Sequence, residues 1–105
     1  MAISEERRSA TATYPAELVA VGSHLNGTLA NPNQWFARPD GANYINLQIL
    51  GSQTSARYRL DNQLATAMIG FYIGTGDVVL LPVSGTGISV AVDAGAPTYQ
   101  AQWFR

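Results

Sequence analysis

Across residues 43–50 the chain reads Asn-Tyr-Ile-Asn-Leu-Gln-Ile-Leu, so Ile45, Leu47 and Ile49 alternate with Asn46 and Gln48. In an extended segment this period of two makes one face apolar and the other polar, as in a strand that covers a core on one side. The same alternation returns at Ile88, Val90 and Val92, and again at Tyr99, Ala101 and Trp103. Shorter apolar runs at residues 17–22, 34–38, 56–60, 71–73 and 78–81 complete the set. Turn residues separate them. Residues 23–33 are predicted to close the first strand as a turn-rich stretch, and Pro39-Asp40-Gly41 to make a tight turn. Residues 51–55, Gly74-Thr75-Gly76-Asp77, Ser84-Gly85-Thr86-Gly87 and residues 93–97 form the other connections, and residues 61–67 fit neither pattern.

About eight short strands bounded by Gly, Pro, Asn and Asp, with no long helical period, predict an all-β protein. The expected fold class is an antiparallel β-sandwich, and a small jelly roll is one arrangement that fits it. Residues 1–13 stand apart. Ile3 is the only sizeable apolar side chain after Met1, and Glu5, Glu6, Arg7 and Arg8 are followed by a Ser/Thr/Ala run. Such a segment is either a flexible tail or an arm that orders against another subunit. The expected organisation is an N-terminal arm, 1–13, and one sandwich domain, 14–105.

Composition changes the picture in one respect. Of 105 residues, 12% are charged, about half the usual share, while 47% are apolar. The remaining surface is either solvated by Ser, Thr, Asn and Gln or covered by a partner. All six basic residues are arginines, the cation favoured at interfaces; genomic base composition produces the same bias. A net charge of −1, with basic pairs only at Arg7/Arg8 and Arg57/Arg59, argues against nucleic acid. No apolar run is long enough to span a bilayer, and residues 1–15 carry acidic groups where a secretory signal has basic ones.

Candidate chemistry is sparse. Cysteine and lysine are absent and His24 is the only imidazole, which leaves no soft-metal ligand set and no nucleophile paired with a base. The aspartates Asp40, Asp61, Asp77 and Asp93 sit at turns, where their side chains bond nearby backbone. Gly70, Gly74 and Gly76 lack the Lys-Ser/Thr ending of a phosphate loop. No enzyme activity, cofactor or metal is expected. Trp35, Tyr44, Tyr72, Tyr99, Trp103 and Phe104 can serve as core residues or as a sugar-binding platform.

The ordered set Arg57-Tyr58-Arg59-Leu60-Asp61, Ala65-Thr66-Ala67, Gly70-Phe71 and Gly74-Thr75-Gly76-Asp77, with a closing aromatic strand, resembles small structural proteins of tailed bacteriophages. The resemblance covers residues 56–105. It implies a capsid cement or decoration protein, made in the host cytoplasm, that assembles as a homotrimer on the virion head and stabilises it. The partners are then other copies of itself and the major capsid protein. On that reading Ile3, Glu5, Glu6, Arg7 and Arg8 are the expected capsid contact, and Arg57, Arg59, Tyr99, Trp103 and Phe104 the expected subunit interface. The alternative is a tail- or head-fibre accessory module that binds host carbohydrate through exposed aromatics.

Overall fold

A computed structural model describes residues 18–105. Within them lie eight strands: β1 (Ala20–Thr28), β2 (Asn33–Ala37), β3 (Tyr44–Leu50), β4 (Ser55–Arg59), β5 (Phe71–Gly74), β6 (Val78–Pro82), β7 (Gly87–Ala94) and β8 (Thr98–Phe104). They form two four-stranded sheets, ordered β1-β8-β3-β6 and β2-β7-β4-β5. Every pairing is antiparallel, and β1 pairs with β8, β2 with β7, β3 with β6 and β4 with β5. The chain is thus one long hairpin whose arms are wrapped together, and β3–β8 and β4–β7 pairings stitch the turns of the wrap. That order is the double-sheet jelly roll.

The core lies between the sheets and follows the alternation in the sequence. Ile45, Leu47 and Ile49 of β3 are fully buried and oppose Ile88 and Val90 of β7, Ala56 of β4 and Ile73 of β5. Tyr99, Ala101 and Trp103 of β8 and Phe36 of β2 complete it. Tyr99 and Phe36 meet edge to face with ring centroids 5.0 Å apart, and the Tyr99 hydroxyl accepts a hydrogen bond from Gln34 Nε2 at 3.0 Å. The polar end of the buried ring is thereby satisfied.

One expectation is corrected here. Residues 23–28, read as turn, are the second half of β1. The register of β1 against β8 shifts between Val21 and Leu25, so both side chains point inward although four residues apart. Gly22 sits in this irregularity with φ +76°, a left-handed conformation that only glycine adopts without strain. The bulge breaks the period of two, which is why a polar stretch containing His24 and Asn26 continues a strand.

The sheets differ on their outer faces. On β7, Ser89 and Ala91 point away from the core yet are fully buried, because the β4–β5 connection lies over them. Among the described residues no connection covers the outer face of the β1-β8-β3-β6 sheet, and Tyr44, Asn46, Gln48, Gln100, Gln102 and Phe104 are half-buried there.

Candidate functional site

The connection between β4 and β5, residues 60–70, is the ambiguous segment of the sequence, and polar contacts hold it at three points. Near its start, Asn62 Oδ1 accepts a hydrogen bond from the Thr86 N–H at 3.0 Å. In the middle, the Ala65 N–H donates to Ser89 Oγ at 2.9 Å and Asn33 Nδ2 donates to the Ala65 carbonyl at 3.4 Å. Towards its end, Arg57 Nε and Nη1 donate to the carbonyls of Ala67 and Gly70 at 3.2 and 3.1 Å. Between these anchors Thr66 and Ile69 close a tight turn through reciprocal backbone bonds, and the Thr66 hydroxyl oxygen accepts from the Met68 and Ile69 N–H groups. Gly70 allows the return to the sheet. At φ +141° it brings its backbone against β4, and a Cβ there would lie 3.0 Å from both Arg57 Cβ and the Tyr58 carbonyl.

Arg57 is itself fixed. Its guanidinium lies 3.4 Å from Asp93 Oδ1 and 5.8 Å from the centre of the Tyr72 ring. Asp93 Oδ2 accepts a hydrogen bond from the Ser55 hydroxyl at 2.7 Å. That hydroxyl, with Arg57 beside it, holds the Asp93 carboxyl below the usual carboxylate range. Arg59 pairs with Asp61 two residues on and lowers its carboxyl in the same direction. Burial pushes the Tyr58 hydroxyl upward.

This bracing presents an apolar surface. Leu64, Met68, Ile69, Phe71 and Tyr72 are 58, 87, 54, 65 and 60% exposed, all within one loop and the strand that follows it. Leu60, Ile69 and Phe71, with the Arg59/Asp61 pair at the rim, line an open cleft of about 410 Å³. Strand β5 is also an edge of its sheet, so one side of its backbone has no strand neighbour among the described residues. Ile69 and Phe71 share that cleft, while Tyr72, the next residue of β5, points to the opposite face beside Arg57; exposed apolar side chains of this kind are found where proteins meet a partner or a ligand.

The expected site residues are distributed as follows. Ile3, Glu5, Glu6, Arg7 and Arg8 lie outside the described residues, as does the whole 1–13 arm. Tyr99 and Trp103 are corrected: they are 9 and 3% exposed within a single chain, inside its own core, which leaves their side chains almost no surface to offer a second subunit. The alternation of the closing strand selects them for the interior. Phe104, on the same strand, is half-buried on the outer face of the β1-β8-β3-β6 sheet, opposite Tyr44. Arg57 and Arg59 flank the apolar surface but are engaged by carboxylates of the same chain. Leu64, Met68 and Ile69 were not among the expected residues. Their signal in the sequence is apolar side chains in a stretch with no regular period.

The aromatic set divides in the same way. Trp35, 39% exposed, and Tyr72 sit on the opposite edge strands β2 and β5, with the covering loop between them, and form no common platform. Among the described residues no group of three His, Cys, Asp or Glu side chains converges on a point that could hold a metal ion. Neither a protein-family model, nor a curated protein, nor a solved structure matches the chain.

Proposed function

We propose that this protein is a non-enzymatic virion component, a capsid decoration protein that assembles as a homotrimer and reinforces the head to which it attaches. The observation that carries the reading is the apolar surface of Leu64, Met68, Ile69 and Phe71, held on a loop with three polar anchors rather than on a loose one. Preorganised apolar side chains associate without a large ordering cost, which suits a permanent structural contact. The jelly roll, a fold used by viral capsid domains among others, the low charge and the resemblance of residues 56–105 to phage structural proteins support the same reading.

In this proposal the apolar surface joins the copies, and the segment containing Ile3, Glu5, Glu6, Arg7 and Arg8 meets the major capsid protein. Three weak contacts on one trimer then add through effective concentration. The test is co-sedimentation of the purified protein with undecorated capsids, followed by imaging of the particles at subunit resolution. Regular density at symmetry-related head positions, lost when residues 1–13 are removed, is the expected result. Absence of the protein from particles, or unchanged occupancy without that segment, overturns the assignment.

A further inference from the structure

We propose that the outer face of the β1-β8-β3-β6 sheet binds a neutral saccharide. The register places three outward pairs in succession along β3 and β8: Gln48 opposite Gln100, Asn46 opposite Gln102, and Tyr44 opposite Phe104. Successive pairs on one face are about 6.6 Å apart, so the strip runs for about 13 Å. Two rows of carboxamides therefore lead directly into a pair of aromatic rings.

The chemistry of the strip selects the ligand. Strands β1, β3, β6 and β8 contain no Asp, Glu, Lys or Arg, while every ion pair between described residues involves strand β4 of the opposite sheet. Among the described residues no arginine lines the depression, where His24 is the one ionisable side chain, and Arg38 lies only beside Tyr44 at the end of the strip; a phosphate, sulfate or carboxylate has little counter-charge there, whereas an uncharged polyol needs none. Among the described residues Gln100 Oε1 is taken up by His24 Nε2, and Gln102 Nε2 donates to the carbonyls of Val21, Gly22 and Trp103; the Gln100 amide N–H groups, the Gln102 amide oxygen and the Gln48 carboxamide are left to meet a hydroxyl group, itself donor and acceptor. Tyr44 and Phe104 supply apolar surface for the C–H face of a sugar ring. The side chains of Asn46, Gln48, Gln100, Gln102 and His24 line one shallow depression of about 130 Å³. Asn46 Oδ1, at the centre of the strip, is buried and has no hydrogen-bond partner among the described residues, so a ligand reaches it only if the neighbouring side chains move aside. An amide-rich, charge-free strip is a poor match for a purely apolar partner, and the exposed apolar surface of the loop lies on the other sheet. The inference is therefore independent of the assembly reading and can fail without it.

The test is titration of the intact protein, with labelled side-chain amides followed by NMR. The probes are neutral di- and trisaccharides of glucose, galactose, mannose and N-acetylglucosamine, with sialylated and sulfated oligosaccharides as charged controls. The expected result is millimolar or tighter binding of at least one neutral sugar, with shifts centred on the amides of Asn46, Gln48, Gln100 and Gln102. Gln100→Ala and Tyr44→Ala should each weaken binding at least about tenfold, and Trp35→Ala and Tyr72→Ala should not. Gln48→Glu, close to isosteric, serves as a second strip variant if either of the first two fails to fold. No shift with any neutral sugar overturns the proposal, as do binding of charged sugars alone, shifts elsewhere, undiminished binding by the strip variants, or shifts that follow protein concentration without sugar.

Discussion

The Ala65 N–H donates to the Ser89 hydroxyl oxygen at 2.9 Å, and both residues are fully buried. Ser89 points away from the core between the sheets, so this bond fastens the irregular 60–70 segment onto the back of β7. The exposed residues Leu64, Met68 and Ile69 lie on either side of that fastening in the chain.

Removing the hydroxyl should loosen the loop without dismantling the sandwich. Ser89→Ala leaves the Ala65 N–H buried and unpaired, at a cost of about 1–3 kcal/mol. Urea unfolding at neutral pH measures the loss, and hydrogen exchange should show the increase in opening confined to residues 60–70. Unchanged stability and unchanged exchange would show that the loop is held by its other contacts alone.

The two tryptophans should behave differently. Trp103 is 3% exposed and truncation to Ala should cost about 3–5 kcal/mol, whereas Trp35, 39% exposed over Gly87, should cost less, about 1–3 kcal/mol. Equal losses in thermal or urea unfolding would contradict the placement of β8 in the core.

Acid should act through Asp93. Its carboxyl is held below the usual range, by the Ser55 hydroxyl first and Arg57 second. The folded state thus favours the ionised form: the stabilisation is complete above the unfolded value of about 4 and is lost as pH falls through the lower folded value. Asp93→Asn should lower stability at pH 7 and flatten the decline in melting temperature below about pH 4. Asp61 shifts in the same direction, but it is itself exposed and its partner is close in sequence, so Asp61→Asn should change the profile less. An acid profile of the Asp93 variant parallel to the unsubstituted protein would assign the acid sensitivity elsewhere.

The strands of the fold were legible where the period of two was uninterrupted. Ile45, Leu47 and Ile49 are fully buried as the alternation requires, and so are Ile88 and Val90. Strand β1 was cut short because the bulge at Gly22 shifts the phase, bringing Val21 and Leu25 to the same side. The burial of Ser89 and Ala91 could not be read from β7, since it depends on a loop whose own sequence has no period. For the same reason the apolar surface was missed, while Tyr99 and Trp103 of the closing strand were expected at a subunit interface although the alternation already placed them on one face with Ala101. Side-chain size attracts attention, but alternation decides direction, and it sends Tyr99 and Trp103 inward.

The central claim is that the surface of Met68 and Phe71 joins copies of the chain. The most direct measurement is the solution mass, by multi-angle light scattering at micromolar concentration, of the intact protein and of the Met68→Lys/Phe71→Lys double variant. These side chains are 87 and 65% exposed, so the substitutions should leave the fold and its thermal transition in place. The account predicts three times the chain mass of 11.2 kDa for the intact protein and a single chain mass for the folded variant. A monomeric intact protein, or a variant that keeps the oligomeric mass, would contradict it.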